Sequence, residues 1–522
     1  MYPTTIDPKY IEKLFCRGYL ITNNKNVPFP TTDLSEYWHT YVFDQYTIFI
    51  HKDQHFYYKI ENNRTLFLIG NCVNPFSGDY VETDILTDIY SAVDTDLSSA
   101  QDKINELTGD FLIGYIANES LSFISDPTQM LFCTYGFFEN SLYISSHYQL
   151  IADLFKLDKD NYTIELEKYR FFYKYGLFFP GDRTPYQEIK RTLTNHLYRF
   201  SNGSMKHERI YPTKDITACQ SESEYLELIK KVSDILKSTM VCASKKWKMP
   251  SVSLTGGMDS KTTLSATNGL HDKFKFYSYC SMHGDKIDSD AAHIIAEHLG
   301  IKHTVFNISE NDSDFPDIES HKAVLEHNLG NYKCNDNDIR KRAFFSDQKP
   351  FDVEIKSWVS EIGRANYYKK FGLKKMPEKL SPRQMTSMYK IFLTERKLAK
   401  KTDLIFEEFI EKSKFNNLPS GYDASDMYLW EFRYSAWGGI VITSEHSYSN
   451  EIFIPFNNRL LLDLMLKAPK DKRISDEFHE DLIKFGDPRI SELGITITNW
   501  NETKLRQKIE RLYFLIHSFI KF

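Results

Sequence analysis

The first half of the chain is built on short alternating or continuous apolar runs. Tyr46–His51, His55–Ile60, Thr65–Gly70, Phe111–Ala117, Leu121–Ser125, Leu131–Tyr135 and Ser141–Ser146 are separated by Asn, Gly, Asp and Pro. Runs of this length with turn residues between them predict β-strands, so Tyr46 to about Pro212 reads as sheet-rich with few helices. After Ile216 the period changes. Tyr225, Ile229, Val232 and Leu236 recur at helical spacing and predict an amphipathic helix over Ser223–Ser238. A strand ending at Thr255, a helix from Ser260, a strand Phe274–Tyr279, a helix Ser289–Leu299 and a strand near His303–Phe306 follow. That alternation predicts a parallel sheet covered by helices on both faces. From Leu380 onward helical patterns dominate, including Met427–Trp437 and Leu460–Leu466. The small and polar stretch Thr213–Ser223 suits a linker, which divides the chain into 1–212 and 213–522.

Charge and composition narrow the function. A net charge of −6 disfavours a dedicated nucleic-acid binder, since phosphate contacts need a surplus of Lys and Arg. The local clusters Lys245–Lys246 and Lys369–Lys370 read as solvated faces. The start carries no basic segment leading into an apolar one, and no apolar run approaches the ~20 residues that span a bilayer. The expectation is a cytoplasmic protein with neither nucleic-acid nor membrane partners, and possibly a homodimer. The seven cysteines form no C-x-x-C pair, so neither a zinc site nor a disulfide framework is expected.

The strongest chemical signal is Ser251-Val-Ser-Leu-Thr-Gly-Gly-Met-Asp-Ser-Lys261, an apolar strand feeding a Gly-Gly turn that opens a helix. The glycines are expected to adopt positive φ and let a ligand approach the backbone. Free amides at the helix start would bind phosphate, and Asp259 could hold Mg²⁺ on phosphate oxygens. The bland alternative is a tight strand–helix turn. Neither GxxxxGK[ST] nor a strand-end GxGxxG is present. Tyr277–Cys280 ends the second strand of the sheet, where backbone is placed for adenine, while the side chains of Phe274, Phe276, Tyr277 and Tyr279 read as packing.

Thr255-Gly-Gly-Met-Asp-Ser260 resembles the SGGxDS pyrophosphate loop of the ATP-pyrophosphatase superfamily, with Thr for the usual Ser. Asp288 to His303 and Glu451-Ile-Phe-Ile-Pro-Phe-Asn-Asn-Arg459 are similar to segments of asparagine synthetases, and Ser357-Trp-Val-Ser-Glu-Ile-Gly-Arg364 sits where they carry an acidic Gly-rich loop. Gly70, Leu107-Thr-Gly-Asp-Phe-Leu-Ile-Gly-Tyr115 and Asp126-Pro-Thr-Gln resemble the glutaminase-type domain fused to them. The resemblance implies an α/β fold. It would comprise an N-terminal Ntn-type α/β/β/α sandwich, then a doubly wound parallel-sheet ATP-pyrophosphatase domain with a helical C-terminal part.

It also implies an AMP- and pyrophosphate-forming ligase that uses ATP and Mg²⁺ to adenylate a small-molecule or peptide carboxylate, then joins it to ammonia or an amine. On that resemblance Ser253, Thr255, Gly256, Gly257, Met258, Asp259, Ser260 and Tyr279 contact the nucleotide, Asp259 and Glu361 hold the metal, and Glu361 and Arg364 act in catalysis. Arg364 could grip phosphate or carboxylate, or could simply pair with Glu361. Lys467, Lys470, Lys472 and Lys484 stand as candidates for the lysine that relatives set on departing pyrophosphate. Two departures stand out. Tyr2 occupies the position where active glutaminase domains carry their nucleophilic Cys, and Ser360-Glu-Ile-Gly363 replaces a more acidic loop. The rivals are a sulfur-transfer or tRNA-modifying pyrophosphate-loop enzyme and a non-catalytic pseudoenzyme.

Overall fold

The computed structural model describes residues 6–170, 172–173, 178–389, 394–495 and 504–519; Tyr2 lies outside them. Among the described residues the chain is a mixed α/β protein with two six-stranded sheets and one five-stranded sheet. The first sheet orders its strands Ile189–Arg191, Thr134–Phe138, Ser141–Ser145, Tyr19–Thr22, Tyr46–His51 and Trp38–Phe43. The second runs Ser204–Arg209, His196–Ser201, Ser120–Ser125, Thr108–Ala117, Arg64–Val73 and Phe56–Glu61. All pairings in both are antiparallel.

The strand period of two builds the layers. Ile48 and Ile50 face Phe67 and Ile69 across the space between the two sheets. Phe49 points the other way, toward Ile151 and Val324 of the helices Tyr148–Phe155 and Ile318–Asn328. Leu66 and Leu68 pack on Ile85 and Ile89 of the helix Glu82–Ala92. The result is the α/β/β/α layering that the resemblance implies. Gly109 shows why a side chain is excluded within it: at φ +144 a Cβ would stand 2.1 Å from the Asn71 carbonyl oxygen.

The third sheet is parallel throughout, in the order His303–Asn307, Lys275–Cys280, Pro250–Ser253, Val353–Ile355 and Glu451–Phe453. Phe276 joins the main core with Leu236 and Leu264, whereas Tyr277 turns to Phe345 on the helix Asp336–Gln348, so helices cover both faces. Several elements outrun their sequence signals. The helix expected over Ser223–Ser238 runs Glu222–Lys246, and that expected from Ser289 begins at His283. The segment Met427–Trp437 becomes a short α-helix, Ala424–Tyr428, continuing as a ten-residue π-helix, Leu429–Gly438.

Buried polar groups lock the sandwich to the parallel-sheet half. Asn457 Nδ2 donates to the Gly109 carbonyl (2.7 Å) and Asp126 Oδ1 (2.9 Å), and its Oδ1 accepts from Thr128 Oγ1 (2.8 Å). Arg459 Nε donates to Asn195 Oδ1 (2.9 Å) and its Nη2 to the Ser125 carbonyl (2.8 Å). Arg209 forks onto Glu431 at 2.6 and 2.8 Å. An unsatisfied buried partner costs about 1–3 kcal/mol, so Asn457→Ala is expected to destabilise the chain by about 3 kcal/mol. Thermal and urea unfolding of the two chains measure it; a change below about 0.5 kcal/mol would mean that these bonds do not hold the halves together.

Candidate active site

The strand Pro250–Ser253 lies at the middle of the parallel sheet, and the turn at its carboxyl end opens the helix Met258–Ala266. Ligands gather at this end of such sheets. The loop is braced from within. Thr255 N–H donates to Ser260 Oγ (3.0 Å), Ser260 Oγ donates to the Ser253 carbonyl (3.2 Å), and Gly257 N–H donates to Thr255 Oγ1 (3.1 Å). The helix start has no side-chain cap, which leaves first-turn amides for an anion.

The glycine expectation is corrected here. Neither Gly256 nor Gly257 has positive φ, and Gly257 is extended at φ −73, ψ 155. Gly257 instead relieves crowding, since a Cβ there would sit 3.2 Å from Thr255 Oγ1.

A cavity of about 260 Å³ opens above the loop. Ser253, Thr255, Gly257, Asp259, Ser260, Tyr279 and Glu361 line it, as the motif reading expects. Met258 does not: its side chain is buried in the main core, and Gly256 is buried without reaching the wall. Arg364 lies behind the wall rather than on it. Its Nη1 donates to Asp259 Oδ2 at 2.5 Å and its Nε to Asp476 Oδ1 at 2.7 Å, so its partners are two aspartates and not Glu361. Burial works against the guanidinium charge, but Asp259 and Asp476 outweigh it and hold the group firmly cationic. Asp259 also accepts from Ser360 Oγ.

Glu361 sits in a tight 3-10 turn, Ser360–Arg364, between two residues in the left-handed region, Val359 (φ 77) and Ala365 (φ 46). A β-branched residue there is strained, a cost that concentrates at functional sites. The turn aims Glu361 at the cavity, where it accepts from the Tyr434 hydroxyl. Enclosure by protein, then the neighbouring Asp259, push its carboxyl up to about 7.

The four late lysines do not reach this cavity. Lys470 pairs with Asp423 (2.5 Å) and Lys472 with Glu477 (2.6 Å), and neither Lys467 nor Lys484 is on the wall. The cation on the wall is Lys356, buried, its Nζ donating to Glu354 Oε1 at 2.6 Å. It directly follows the strand Val353–Ile355, a carboxyl-end position that was its only sequence signal. Asp285 and Asp288, from the helix His283–Leu299, complete an acidic rim that sequence reasoning left out.

Mg²⁺ takes one or two carboxylates and leaves the rest of its shell to phosphate and water. Asp259 and Glu361 both line the cavity and would make such a pair, and among the described residues no cluster of three or more His, Cys, Asp or Glu would hold a metal alone. Cys16 offers no nucleophile in the sandwich half. It is buried, its Sγ donates to the Ser447 carbonyl, and burial pushes the thiol up. No helix among the described residues is long and apolar enough to cross a membrane.

No family model and no curated protein matches the chain. Solved structures that match include an allosteric regulatory enzyme of purine biosynthesis, at 11% identity and TM-score 0.26 over 57% of this chain and 60% of that one. A glutamine-dependent NAD+ synthetase from Acinetobacter baumannii, with ADP bound, matches at 12% identity and TM-score 0.21 over 34% of each chain. Glutamine phosphoribosylpyrophosphate amidotransferase from B. subtilis, bound to ADP and GMP, matches at 10% identity and TM-score 0.21 over 69% of this chain and 73% of that one. The chain thus spans less than two thirds of the first two.

The raised Glu361 carboxyl has a consequence for stability. Between the ordinary value of 4.5 and about 7 the folded chain holds a proton there that the unfolded chain has lost. Folding stability contributed by this group therefore falls as pH rises through that window. Glu361→Gln has no such proton to lose. Its melting midpoint relative to the parent is expected to climb from about pH 5 to about pH 8 in metal-free buffer. Parallel melting profiles would place Glu361 in an ordinary solvated setting.

Proposed function

We propose that the chain is an ATP-dependent ligase of the asparagine synthetase type, which adenylates a carboxylate, releases pyrophosphate and joins the acyl group to ammonia or a substrate amine. The observation that carries this reading is the braced Thr255–Ser260 turn at the carboxyl end of the central parallel strand, with Asp259, Glu361 and Lys356 around one cavity.

The first-turn amides and the Thr255 and Ser260 hydroxyls suit the β and γ phosphates, and Tyr279 and the strand end beside it suit adenine. Mg²⁺ held by Asp259 and Glu361 would neutralise phosphate charge. Lys356 stands where charge develops as pyrophosphate departs, a role that electrostatic stabilisation fills best from a buried position. Where Glu361 does not hold the metal, its carboxylate is instead suited to take the proton from the attacking amine. Arg364 is a positioning residue that fixes Asp259. The amine nitrogen bonds to the acyl carbon as the bond to AMP breaks, leaving an amide, AMP and one proton.

The expected nucleotide products are AMP and pyrophosphate, and chromatography that found ADP alone would sink the mechanism. Asp259→Asn is expected to abolish the thermal protection given by Mg-ATP, because a neutral amide cannot offset the metal's charge. Undiminished protection would remove Asp259 from the metal site.

A further inference from the structure

Beside the nucleotide cavity lies a larger one of about 720 Å³, and Tyr279, Lys356 and Trp358 belong to the walls of both. The first is small; the second falls in the range of roughly 300–1,000 Å³ that encloses a sizeable organic ligand. Its wall carries the carboxylates of Asp338 and Glu445 and, beside them, buried donors that make no hydrogen bond within the protein. Arg342 is 4% exposed, yet its Nε and Nη1 have no hydrogen-bond partner. The carboxylate nearest its Nε, on Glu445, stands 3.6 Å away, too far for a hydrogen bond. His446, 8% exposed, leaves Nδ1 without a partner as well. Stranded guanidinium N–H groups are costly unless a ligand brings acceptors to them. A carboxylate matches that fork in geometry as well as in charge.

The wall also carries two indoles. Trp358 and Trp437 stack with ring centroids 5.0 Å apart and planes 16° apart, and His446 meets Trp358 edge-on at 5.4 Å. Both indoles line the cavity and are only partly buried.

We infer that this larger cavity is the acceptor pocket and that it takes a carboxylate borne on a flat aromatic body. The carboxylate meets Arg342 and Lys356 at the mouth of the nucleotide cavity, and the ring lies against Trp358 and Trp437. The inference rests on the ligase reading for the word acceptor, but the binding it describes requires no nucleotide.

Calorimetric titration of the full chain without ATP tests it, using 2-naphthoate, neutral 2-naphthamide, and succinate, which has the charge but no ring. Naphthoate is expected to bind at least about tenfold more tightly than naphthamide, the usual worth of a charged hydrogen bond, and more tightly than succinate. Arg342→Met should erase the difference between acid and amide, and Arg342→Lys should leave part of it. Trp437→Leu should weaken both naphthyl probes by a similar factor. Acid and amide binding equally to the parent chain, succinate matching naphthoate, or no heat at millimolar probe would each overturn the inference. The parent-chain series decides it even if the Arg342 variants fail to fold. The nucleotide tests use no aromatic acid, so the ligase reading can fail separately.

Discussion

The site hangs on the ionic chain Asp259–Arg364–Asp476, with Lys369 closing onto Asp476 from the far side. Each member comes from a different part of the chain: the helix Met258–Ala266, the 3-10 turn, the residue between two late helices, and the helix Asn366–Phe371. A partly buried pair with two further bonds fixes positions far better than a surface ion pair, which typically contributes ~0–1 kcal/mol. It also fixes where Asp259 stands, and after burial the Asp259 carboxyl is the next cause that pushes the Glu361 carboxyl up.

The two neighbouring carboxylates are held differently. Asp259 is gripped from the rear by Arg364 and Ser360, whereas Glu361 is enclosed, accepts from the Tyr434 hydroxyl and has its carboxyl pushed up to about 7. The strained Val359 and Ala365 backbone is the cost of aiming Glu361 at the cavity, and the close packing around Gly363, where a Cβ would meet the Met465 methyl at 2.6 Å, holds the turn in that shape.

Much of this was legible in the sequence. The central antiparallel strands Tyr46–His51, Arg64–Val73 and Thr108–Ala117 declared themselves because one face packs on the opposite sheet and the other on helices, so nearly every position is buried, while the edge strands Phe56–Glu61 and Ser204–Arg209 keep exposed positions. The loop Thr255–Ser260 was legible because its residue types are dictated locally. The failures have physical causes too. Leu131–Cys133 read as strand but belong to a loop wrapped on the Asp126 carboxylate, which accepts the Met130 and Leu131 amides; the strand starts at Thr134. Lys356 follows a strand of only three residues, too short to show a period. Arg342 sits on a helix whose pattern gives no hint that its charge faces inward. The late lysines stood as equal candidates by their place along the chain, and the aspartate and glutamate partners of Lys470 and Lys472 could be found only in three dimensions.

The π-helix Leu429–Gly438 joins these parts. Glu431 reaches Arg209 and Asn195 of the sandwich, Ser435 receives Arg191, Tyr434 holds Glu361, and Trp437 stacks on Trp358. Its wider i→i+5 winding sets which of these side chains share a side, and a return to ordinary α winding would rotate them out of step. Mutational drift in the sandwich and in the pocket is therefore not independent. A change that relaxes this one helix would be felt at once by the scaffold and by the chemistry, so the two halves are bound to evolve as a single hereditary unit.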